Sequence, residues 1–499
     1  MTMAELIFIP TPTMGHLLPA LAMAKRLVER DERVSITVLV VNLPLFLSNS
    51  FVQSLKSDAP VNKRIKFVEI PSLDTGSESF DQKTIQDHTP TNSVQPDKKN
   101  RLFDQRMIPH YKSIVKKIVE DRVIRSNSAG QLAGFVVDMF CTAMIDVASE
   151  LNVPSYVLFT SNAALLSMLF HFQSLRDDHG IDVAEFKDPN IELDVPSFRH
   201  RIPYWSLPSR VLDKDGGIMD HTKRYREAKG ILVNTYMELE PYPLHSLSDY
   251  GRIPSVYPVG PIINLERLHE GREGYKDSIM TWLDDQPLSS VVFLCFGSLG
   301  TFPEEQLREI AHGLERSGHR YLWSIRREPT ADEKVGPPRE HDNLEDVLPD
   351  GFLHRTADIG RVIGWAPQVA ILSHPAVGSF VSHVGWNSTL ESLWFGVPVA
   401  TWPLYAEQRL NAFQMVNELG LAVEITVDYK WDDQKKLSSE LVKAEVIEKA
   451  IRTVMDMERG VRGKVKEMSE VGRKALMEGG SSYAWLGRFI EDVIENISE

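Results

Sequence analysis

Short runs of apolar and β-branched residues alternate along the chain with longer segments in which apolar residues recur every three or four positions. The short runs predict buried strands, and the longer segments predict amphipathic helices. Strands that alternate with helices are typical of parallel sheets that helices cover on both faces. The pattern therefore predicts an α/β protein, and it occurs in two successive series.

The two series divide the chain. Strands are predicted at 6–10, 35–41, 65–70, 134–137, 155–159 and 230–234 in the first series, and at 291–296, 321–325, 362–364, 378–382 and 397–401 in the second. A break at 257–261 and a charged segment at 266–276 have the composition of a linker, and two polar segments, 74–100 and 327–346, are predicted surface loops. We predict an N-terminal domain over 1–258, a linker over 259–280, a C-terminal domain over 281–475, and a final helix over 476–499 that packs back on the N-terminal domain.

Composition narrows the class of protein. At 499 residues the chain exceeds one ordinary core, which agrees with two domains and a cleft between them. The net charge of −14 argues against a nucleic-acid partner. Cys141 and Cys295 lie in apolar stretches, so neither a disulfide framework nor a cysteine-rich metal site is predicted. The first apolar run is too short for a signal peptide and no run is long enough to span a bilayer, so we expect a cytoplasmic protein.

A candidate anion site lies in the second series. A buried strand, a tight turn and a helix are predicted in succession over 378–394. Backbone N–H groups and the helix dipole favour an anion at such a helix start, and Asn387 and Ser388 add side-chain donors. Capping of the helix by these two residues is the alternative interpretation, and it requires no ligand. Gly385 and a second turn, which contains Ser298, favour a phosphate.

A histidine and an aspartate are predicted at the carboxyl edge of the first sheet. His16 follows the first strand, and Asp138 ends another. Ligands bind at this edge in open α/β sheets. Either residue alone is more often structural, since an aspartate at a strand end can cap the next helix. Together they fit a general base, in which the imidazole accepts a proton near neutral pH and the carboxylate fixes its tautomer.

The segment from Trp365 to Gln408 resembles, nearly position for position, the signature box of the plant family-1 uridine-diphosphate (UDP) glycosyltransferases. The similarity extends along the chain through 8–10, 15–16, 282–283 and 296–298. The resemblance implies the glycosyltransferase B fold, with two Rossmann-like domains that face a central cleft. It also implies that the N-terminal domain binds the acceptor and the C-terminal domain binds the UDP-sugar.

The resemblance also assigns roles residue by residue. The implied donor-binding residues are Trp365 at the uracil, Gln368 and Glu391 at the ribose, Ser298, His383, Gly385, Asn387 and Ser388 at the diphosphate, Trp386, Glu407 and Gln408 at the sugar, Thr160 at the sugar or the diphosphate, and Ala366 without a more specific contact. In this family, a glutamine at the end of the box and a tryptophan at its middle accompany glucose donors. The implied donor is therefore UDP-glucose.

The same resemblance makes His16 the base and Asp138 its orienting carboxylate. No carboxylate nucleophile is evident, so we expect direct displacement, which inverts an α-linked donor into a β-glucoside. The helix start, His383 and the N–H donors are expected to stabilise the departing diphosphate, so we expect neither a metal nor a further cofactor. The spacing Asp213-Lys214-Asp215, which binds metal in another glycosyltransferase fold, is interpreted as an exposed turn.

Met14, Phe140, Leu165 and Tyr405 are predicted to line an apolar acceptor pocket. The partner is expected to be a small hydroxylated aglycone, with flavonoid, other phenolic and triterpenoid all open. A monomer is expected, because no heptad seam is present. A sugar-nucleotide epimerase, which shares the fold, and a non-catalytic nucleotide-binding protein are the alternatives. The apolar pocket disfavours the first, and the predicted general base disfavours the second.

Overall fold

The computed structural model of the chain describes residues 3–41, 63–70, 108–121, 130–186, 188, 190–213, 217–250, 253–265, 274–329, 338–427, 431–432, 437–438, 441–456 and 460–497. The predicted surface loop at 74–100 lies outside these residues. Of the predicted loop at 327–346, the structure describes 327–329 and 338–346.

Two parallel sheets form the centre of the structure. Their strands and two short hairpin pairs are β1 (Met3–Ile9), β2 (Val34–Val41), β3 (Ile65–Ile70), β4 (Gly130–Asp138), β5 (Ser155–Phe159), β6 (Glu192–Leu193), β7 (Ile202–Pro203), β8 (Gly230–Val233), β9 (Ser255–Pro258), β10 (Val291–Cys295), β11 (Arg320–Ser324), β12 (Gly360–Ile363), β13 (Val377–Ser382), β14 (Val399–Thr401), β15 (Ala422–Glu424), β16 (Trp431–Asp432) and β17 (Leu437–Ser438). The order is β3-β2-β1-β4-β5-β8-β9 in the first sheet and β12-β11-β10-β13-β14-β15 in the second. Because neighbouring strands are parallel, their carboxyl ends meet at one edge of each sheet.

Helices connect the strands and cover the sheets. They are α1 (Met14–Arg30), α2 (Lys112–Val119), α3 (Ile145–Glu150), α4 (Ala163–His179), α5 (Gly217–Tyr225), α6 (Pro241–Asp249), α7 (Tyr275–Asp284), α8 (Glu304–Ser317), α9 (Phe352–Arg355), α10 (Gln368–Ser373), α11 (Trp386–Phe395), α12 (Gln408–Phe413), α13 (Ala444–Met455), α14 (Gly460–Leu476) and α15 (Ser481–Glu495). A π-helical segment, Gln414–Glu418, continues α12.

The first sheet separates two apolar cores. Ile7 and Ile9 of β1 pack in one core, and Leu6 and Phe8 pack in the other. This alternation is the period of two that a strand imposes on its side chains. All eight residues of β2 are buried, as expected of a strand covered on both faces.

The last described helix, α15, packs on the N-terminal sheet. Leu486, Phe489, Ile490 and Val493 of α15 are buried in the core that also contains α1. The ring of Phe489 lies edge-on to that of Tyr156, with 5.0 Å between centroids. The last helix therefore contributes to the core of the opposite half of the chain.

Strands β9 and β15, the short antiparallel pairs β6–β7 and β16–β17, and the start of helix α7 differ from the predicted elements. β9 occupies part of the segment that we interpreted as a break, because Pro258 ends an edge strand, where proline is tolerated. The short edge strand β15 was not predicted. Helix α7 crosses residue 280, where the predicted linker ends, so the regular structure of the C-terminal half begins earlier than expected.

Cys141 and Cys295 are buried free thiols. Among the helices that the structure describes, none combines the length and the apolar character needed to cross a membrane. The cytoplasmic location and the monomeric state stay predictions.

Candidate active site

His16 and Asp138 meet at the carboxyl edge of the first sheet. His16 lies in the first turn of α1, and Asp138 ends β4, the neighbour of β1. Nδ1 of His16 lies 2.8 Å from Oδ2 of Asp138 and 3.0 Å from Oγ1 of Thr160. The side chain of Asp138 is fully buried and that of His16 is 18% exposed, so a ligand reaches the pair from the histidine side.

Hydrogen bonds fix both the carboxylate and the tautomer of the imidazole. Oδ1 of Asp138 accepts from the hydroxyl of Thr11 at 2.6 Å and from the backbone N–H of Phe140 at 3.0 Å. Because Oδ2 is an acceptor, His16 carries its proton on Nδ1. Nε2 is then the nitrogen that can accept a proton, as a general base requires.

The charges around His16 come from both halves of the chain. Burial, the largest influence, lowers the pKa of His16, but the charge and hydrogen bond of Asp138 and the charge of Glu407 outweigh it, so the pKa is raised. Arg210 acts in the lowering direction. Since Glu407 belongs to the C-terminal half, the predicted sugar-binding carboxylate faces the base across the cleft.

The donor turn, which we define as residues 383–388, joins β13 to α11. Helix α11 has ten residues, its N-cap residue is Gly385, and no side chain caps it. The hydroxyl of Ser388 instead accepts from Nε2 of Gln368 at 2.9 Å. The structure therefore does not show the alternative interpretation, in which Asn387 and Ser388 cap this helix. A helix start without a side-chain cap presents N–H groups and a positive dipole end to an anion.

His383 lies between two glycines. A Cβ on Gly297 would lie 2.5 Å from Nε2 of His383, and one on Gly385 would lie 2.8 Å from the same atom. The space beside Gly385 thus holds this ring, where we expected a phosphate. Burial, followed by the charge of Arg326, lowers the pKa of His383 to about 4. The ring is therefore uncharged at neutral pH and can donate one N–H to a phosphate oxygen.

Arg326 is a site residue that the sequence analysis did not identify. Its Nη1 donates to the carbonyl of Ser298 at 3.0 Å, and its Nη2 donates to the carbonyl of Gly297. It holds the second turn and brings a positive charge close to His383. No motif marks an arginine after β11. Its position at the same sheet edge as Ser298 was the signal that could have identified it.

The predicted uracil and ribose residues lie next to one another. Nε2 of Gln368 donates to Oε2 of Glu391 at 2.7 Å as well as to Ser388. Trp365 is 36% exposed, so its indole offers a surface for stacking, and the neighbouring Ala366 is buried. Gln368, three residues after Trp365, thus bonds to two residues of α11.

Two predicted donor residues are bonded to the N-terminal half. Nδ2 of Asn387 donates to the carbonyl of Gly15 at 2.7 Å, and Nε1 of Trp386 donates to the carbonyl of Asn234 at 2.7 Å. Trp386 is 3% exposed and packs in the C-terminal core, so its predicted contact with the sugar is not visible in this geometry. The second N–H of the Asn387 amide is the one that can serve a phosphate oxygen.

Gln408 combines a structural bond with a donor group. Its Oε1 accepts from the backbone N–H groups of Leu404 and Tyr405 at 2.9 and 3.0 Å. The carbonyl side of this amide therefore orders the loop before α12. The –NH2 side is the donor that a sugar hydroxyl can use.

The four predicted acceptor residues come from different parts of the structure. The ring of Phe140 lies 5.2 Å from that of His16. Met14 packs on the opposite face of the sheet, and Leu165, 2% exposed, is a core residue. Tyr405 lies in the C-terminal half, with its ring 6.5 Å from that of His383. Phe140 and Leu165 share one core, whereas Met14 packs on the opposite face of the sheet, and the assignment of all four residues to an acceptor pocket stays a prediction.

Polar groups that the sequence analysis did not identify surround Phe140. The guanidinium of Arg210 lies 4.6 Å from the centre of the Phe140 ring. The ring of His221 lies edge-on to Phe140 at 5.7 Å, and its Nδ1 is 2.8 Å from the hydroxyl of Thr142. The surroundings of the base are therefore mixed aromatic and polar.

Metal-ligating side chains do not converge in the described part of the chain. No group of three or more His, Cys, Asp or Glu residues there could hold a metal ion. Asp213 is described, whereas Lys214 and Asp215 lie outside the described residues.

Two facing parallel sheets, with a general base on one side and an anion-binding turn on the other, define a glycosyltransferase of the B fold. The family described as UDP-glucoronosyl and UDP-glucosyl transferase matches residues 275–456. UDP-glucose flavonoid 3-O-glucosyltransferase 6 of Fragaria ananassa is 48% identical, with 98% of each chain covered.

Solved structures agree in fold. A UGT transferase from Siraitia grosvenorii in complex with UDP is 44% identical, with a TM-score of 0.81 and coverage of 98% of this chain and 100% of that one. Medicago truncatula UGT71G1 complexed with UDP-glucose is 37% identical, with a TM-score of 0.80 and 98% of each chain covered. The chain belongs to the UDP-glucoronosyl and UDP-glucosyl transferase family and is a UDP-glycosyltransferase. The predicted fold and the resemblance to the plant family-1 enzymes are thereby confirmed.

Proposed function

We propose that this enzyme transfers glucose from UDP-glucose to a hydroxyl of a small apolar acceptor, a flavonoid or another phenol, and forms a β-O-glucoside with inversion. The observation that carries the proposal is the opposition of two groups across the cleft. His16, held by Asp138, lies on one side, and Glu407 lies on the other side, close enough for its charge to act on the imidazole.

The reaction follows from the positions of these groups. The acceptor hydroxyl donates to Nε2 of His16, its oxygen attacks the anomeric carbon, and the bond to the UDP oxygen breaks on the opposite face. The proton stays on Nε2, and Asp138 stabilises the imidazolium. The start of α11, the neutral His383 and Arg326 stabilise the negative charge that grows on the diphosphate. These groups supply the electrostatic stabilisation of the leaving group, so we propose turnover without a metal.

The choice of UDP-glucose rests on site chemistry and on relatives. Glu407 can accept hydrogen bonds from sugar hydroxyls, and the –NH2 of Gln408 can donate to them. The Fragaria relative is named for UDP-glucose and a flavonoid, and the Medicago structure contains UDP-glucose. A flat phenol also suits the aromatic face of Phe140 next to the base.

An acceptor and donor panel tests the proposal. The purified enzyme is incubated with UDP-glucose and, separately, a flavonol, a simple phenol and a triterpenoid alcohol, then with UDP-galactose and UDP-glucuronic acid. We expect UDP release that depends on the flavonol and on UDP-glucose, and a β-linked product by the large coupling of its anomeric proton. A chelator should leave the rate unchanged. An α-linked product, or no acceptor that stimulates UDP release, would refute the proposal.

A further inference from the structure

Four buried polar side chains cross the boundary between the two halves of the enzyme. Asn162 and Glu240 precede α4 and α6 in the N-terminal half, and Asn411 and Gln414 belong to α12 and its π-helical continuation in the C-terminal half. Each of the four is at most 2% exposed. We call them the interdomain polar cluster.

Direct hydrogen bonds connect the interdomain polar cluster. Nδ2 of Asn162 donates to Oδ1 of Asn411 at 2.8 Å and to Oε1 of Gln414 at 2.9 Å. Nε2 of Gln414 donates to Oε1 of Glu240 at 2.7 Å. Glu240 also accepts from the first two N–H groups of α4, at 2.9 and 3.0 Å. Buried amides bonded in this way have little freedom to shift, because any displacement leaves a donor or an acceptor unpaired away from water.

On each side, the interdomain polar cluster adjoins part of the candidate active site. Thr160, two residues before Asn162, lies 3.0 Å from Nδ1 of the base His16. On the other side, Nδ2 of Asn411 donates at 2.9 Å to the carbonyl of Val384 in the donor turn. Val384 has a φ of 53°, a region that β-branched residues rarely adopt. The bond from Asn411 therefore holds the donor turn in a conformation that it would not favour alone.

Apolar packing already joins the two halves. Leu410 and Phe413, on the same helix as Asn411, are buried in the N-terminal core, and Phe413 packs edge-on against Phe198 at 6.1 Å. Such packing is non-directional, so it holds the two halves together without selecting one relative position. Hydrogen bonds between amides are directional and therefore select one relative position.

We infer that Asn411 is a positioning residue. Through its bonds to Val384 and Asn162 it fixes the position of the donor turn relative to the loop that contains Thr160, which we call the register of the two halves. This register sets the distance from the base to the donor sugar. Rates depend steeply on this distance, since a misplacement of about 1 Å can cost about 10²-fold. The inference depends on the proposed function in one respect: the turnover assay uses the substrates that we propose.

Asn411→Ala is compared with a matched control, Asn496→Ala. Nδ2 of Asn496 also joins distant parts of the chain, donating to the carbonyl of Ala133 at 2.9 Å and to the hydroxyl of Tyr156 at 3.0 Å, but away from the cleft. Both variants lose amide hydrogen bonds between distant parts of the chain, so both should unfold at a lower temperature. We expect kcat per folded molecule, measured at saturating UDP-glucose so that any weaker donor binding does not enter the comparison, to fall by about 10- to 10²-fold in Asn411→Ala alone.

A distance measurement tests the register without an acceptor. Cys141 and Cys295 are buried, so cysteines introduced at the exposed Asp178 and Leu288, one in each half, can carry spin labels selectively. With UDP bound, pulsed electron paramagnetic resonance should give a broader distance distribution for Asn411→Ala than for the wild type or the Asn496→Ala control. Because no sugar transfer is involved, this result separates the inference from the proposed function.

A distribution in Asn411→Ala equal to that of the wild type overturns the inference, and so does an equal loss of kcat in the Asn496→Ala control. If Asn411→Ala does not fold, Asn162→Ser replaces it. Serine keeps an oxygen that can cap α4, where Oδ1 of Asn162 accepts from the N–H of Leu165 at 2.8 Å. It removes the two amide bonds to the other half, so the same broadening is expected.

Discussion

Replacement of Asp138 by asparagine tests the mechanism with the smallest change in shape. The new carboxamide can keep the bonds from Thr11 and Phe140 through its oxygen. Its –NH2 group then faces Nδ1 of His16, which in the wild type donates to a carboxylate oxygen. An amide that donates at this position stabilises the tautomer with the proton on Nε2, which can no longer accept the proton of the acceptor hydroxyl.

The expected magnitude follows from this tautomer and from the lost charge. We expect kcat to fall by about 10²- to 10⁴-fold, which corresponds to roughly 3 to 5 kcal/mol of transition-state stabilisation. The pKa of His16 should also fall. Burial lowers this pKa, and the charge and hydrogen bond of Asp138 are the main influences that raise it above the usual 6.5.

The pH dependence of kcat/KM measures that pKa, because only the neutral imidazole is a base. In the wild type, activity should be present above the raised pKa of His16 and be lost as the pH falls through it. The acidic limb of the profile should therefore lie above pH 6.5. In Asp138→Asn the residual activity should persist to lower pH.

Glu5→Gln is the matched control for this change. Glu5 is a buried carboxylate on the same sheet that accepts from Ser35 at 2.8 Å and from Thr37 at 2.6 Å, away from the cleft. Its variant should lose stability and keep kcat. The reasoning is refuted if Asp138→Asn turns over within about threefold of the wild type, or if the acidic limb does not move while UDP affinity is unchanged.

Further substitutions test the donor site and the core. Gly297→Ala places a Cβ 2.5 Å from Nε2 of His383 at a φ of 74°, so UDP affinity by calorimetry should fall by about tenfold or more, and unchanged affinity would contradict the packing argument. Arg326→Met should lower kcat at saturating UDP-glucose by about 10- to 10²-fold, because it removes the positive charge near His383 that we propose stabilises the diphosphate; wild-type kcat would exclude that role. Glu391→Ala should weaken UDP binding by roughly 1 to 3 kcal/mol, and equal affinity would argue against the ribose contact. Phe489→Ala should lower the free energy of unfolding by about 3 to 5 kcal/mol in denaturant titrations, whereas a loss below about 1 kcal/mol would show that α15 is not part of the core.

The amino-acid sequence determined the local elements and the residue types at the site. Buried strands such as 155–159 were predicted with the bounds that the structure shows, because apolar runs and their flanking turns depend only on neighbouring residues. The donor turn was predicted for the same reason, since a strand, a glycine-containing turn and a helix start are contiguous. β9 was missed because prolines interrupt the local pattern, and only pairing with β8 reveals it as an edge strand.

The tertiary structure decided which of these residues act together. Leu165 packs in the same core as Phe140, whereas Met14 packs on the opposite face of the sheet, although the sequence marks all three only as apolar. The bond between Asn162 and Asn411, and the charge of Glu407 at His16, join residues of the two halves of the chain. Such contacts depend on how two separately formed sheets are placed against each other. No local periodicity encodes that placement, because it results from the packing of whole surfaces.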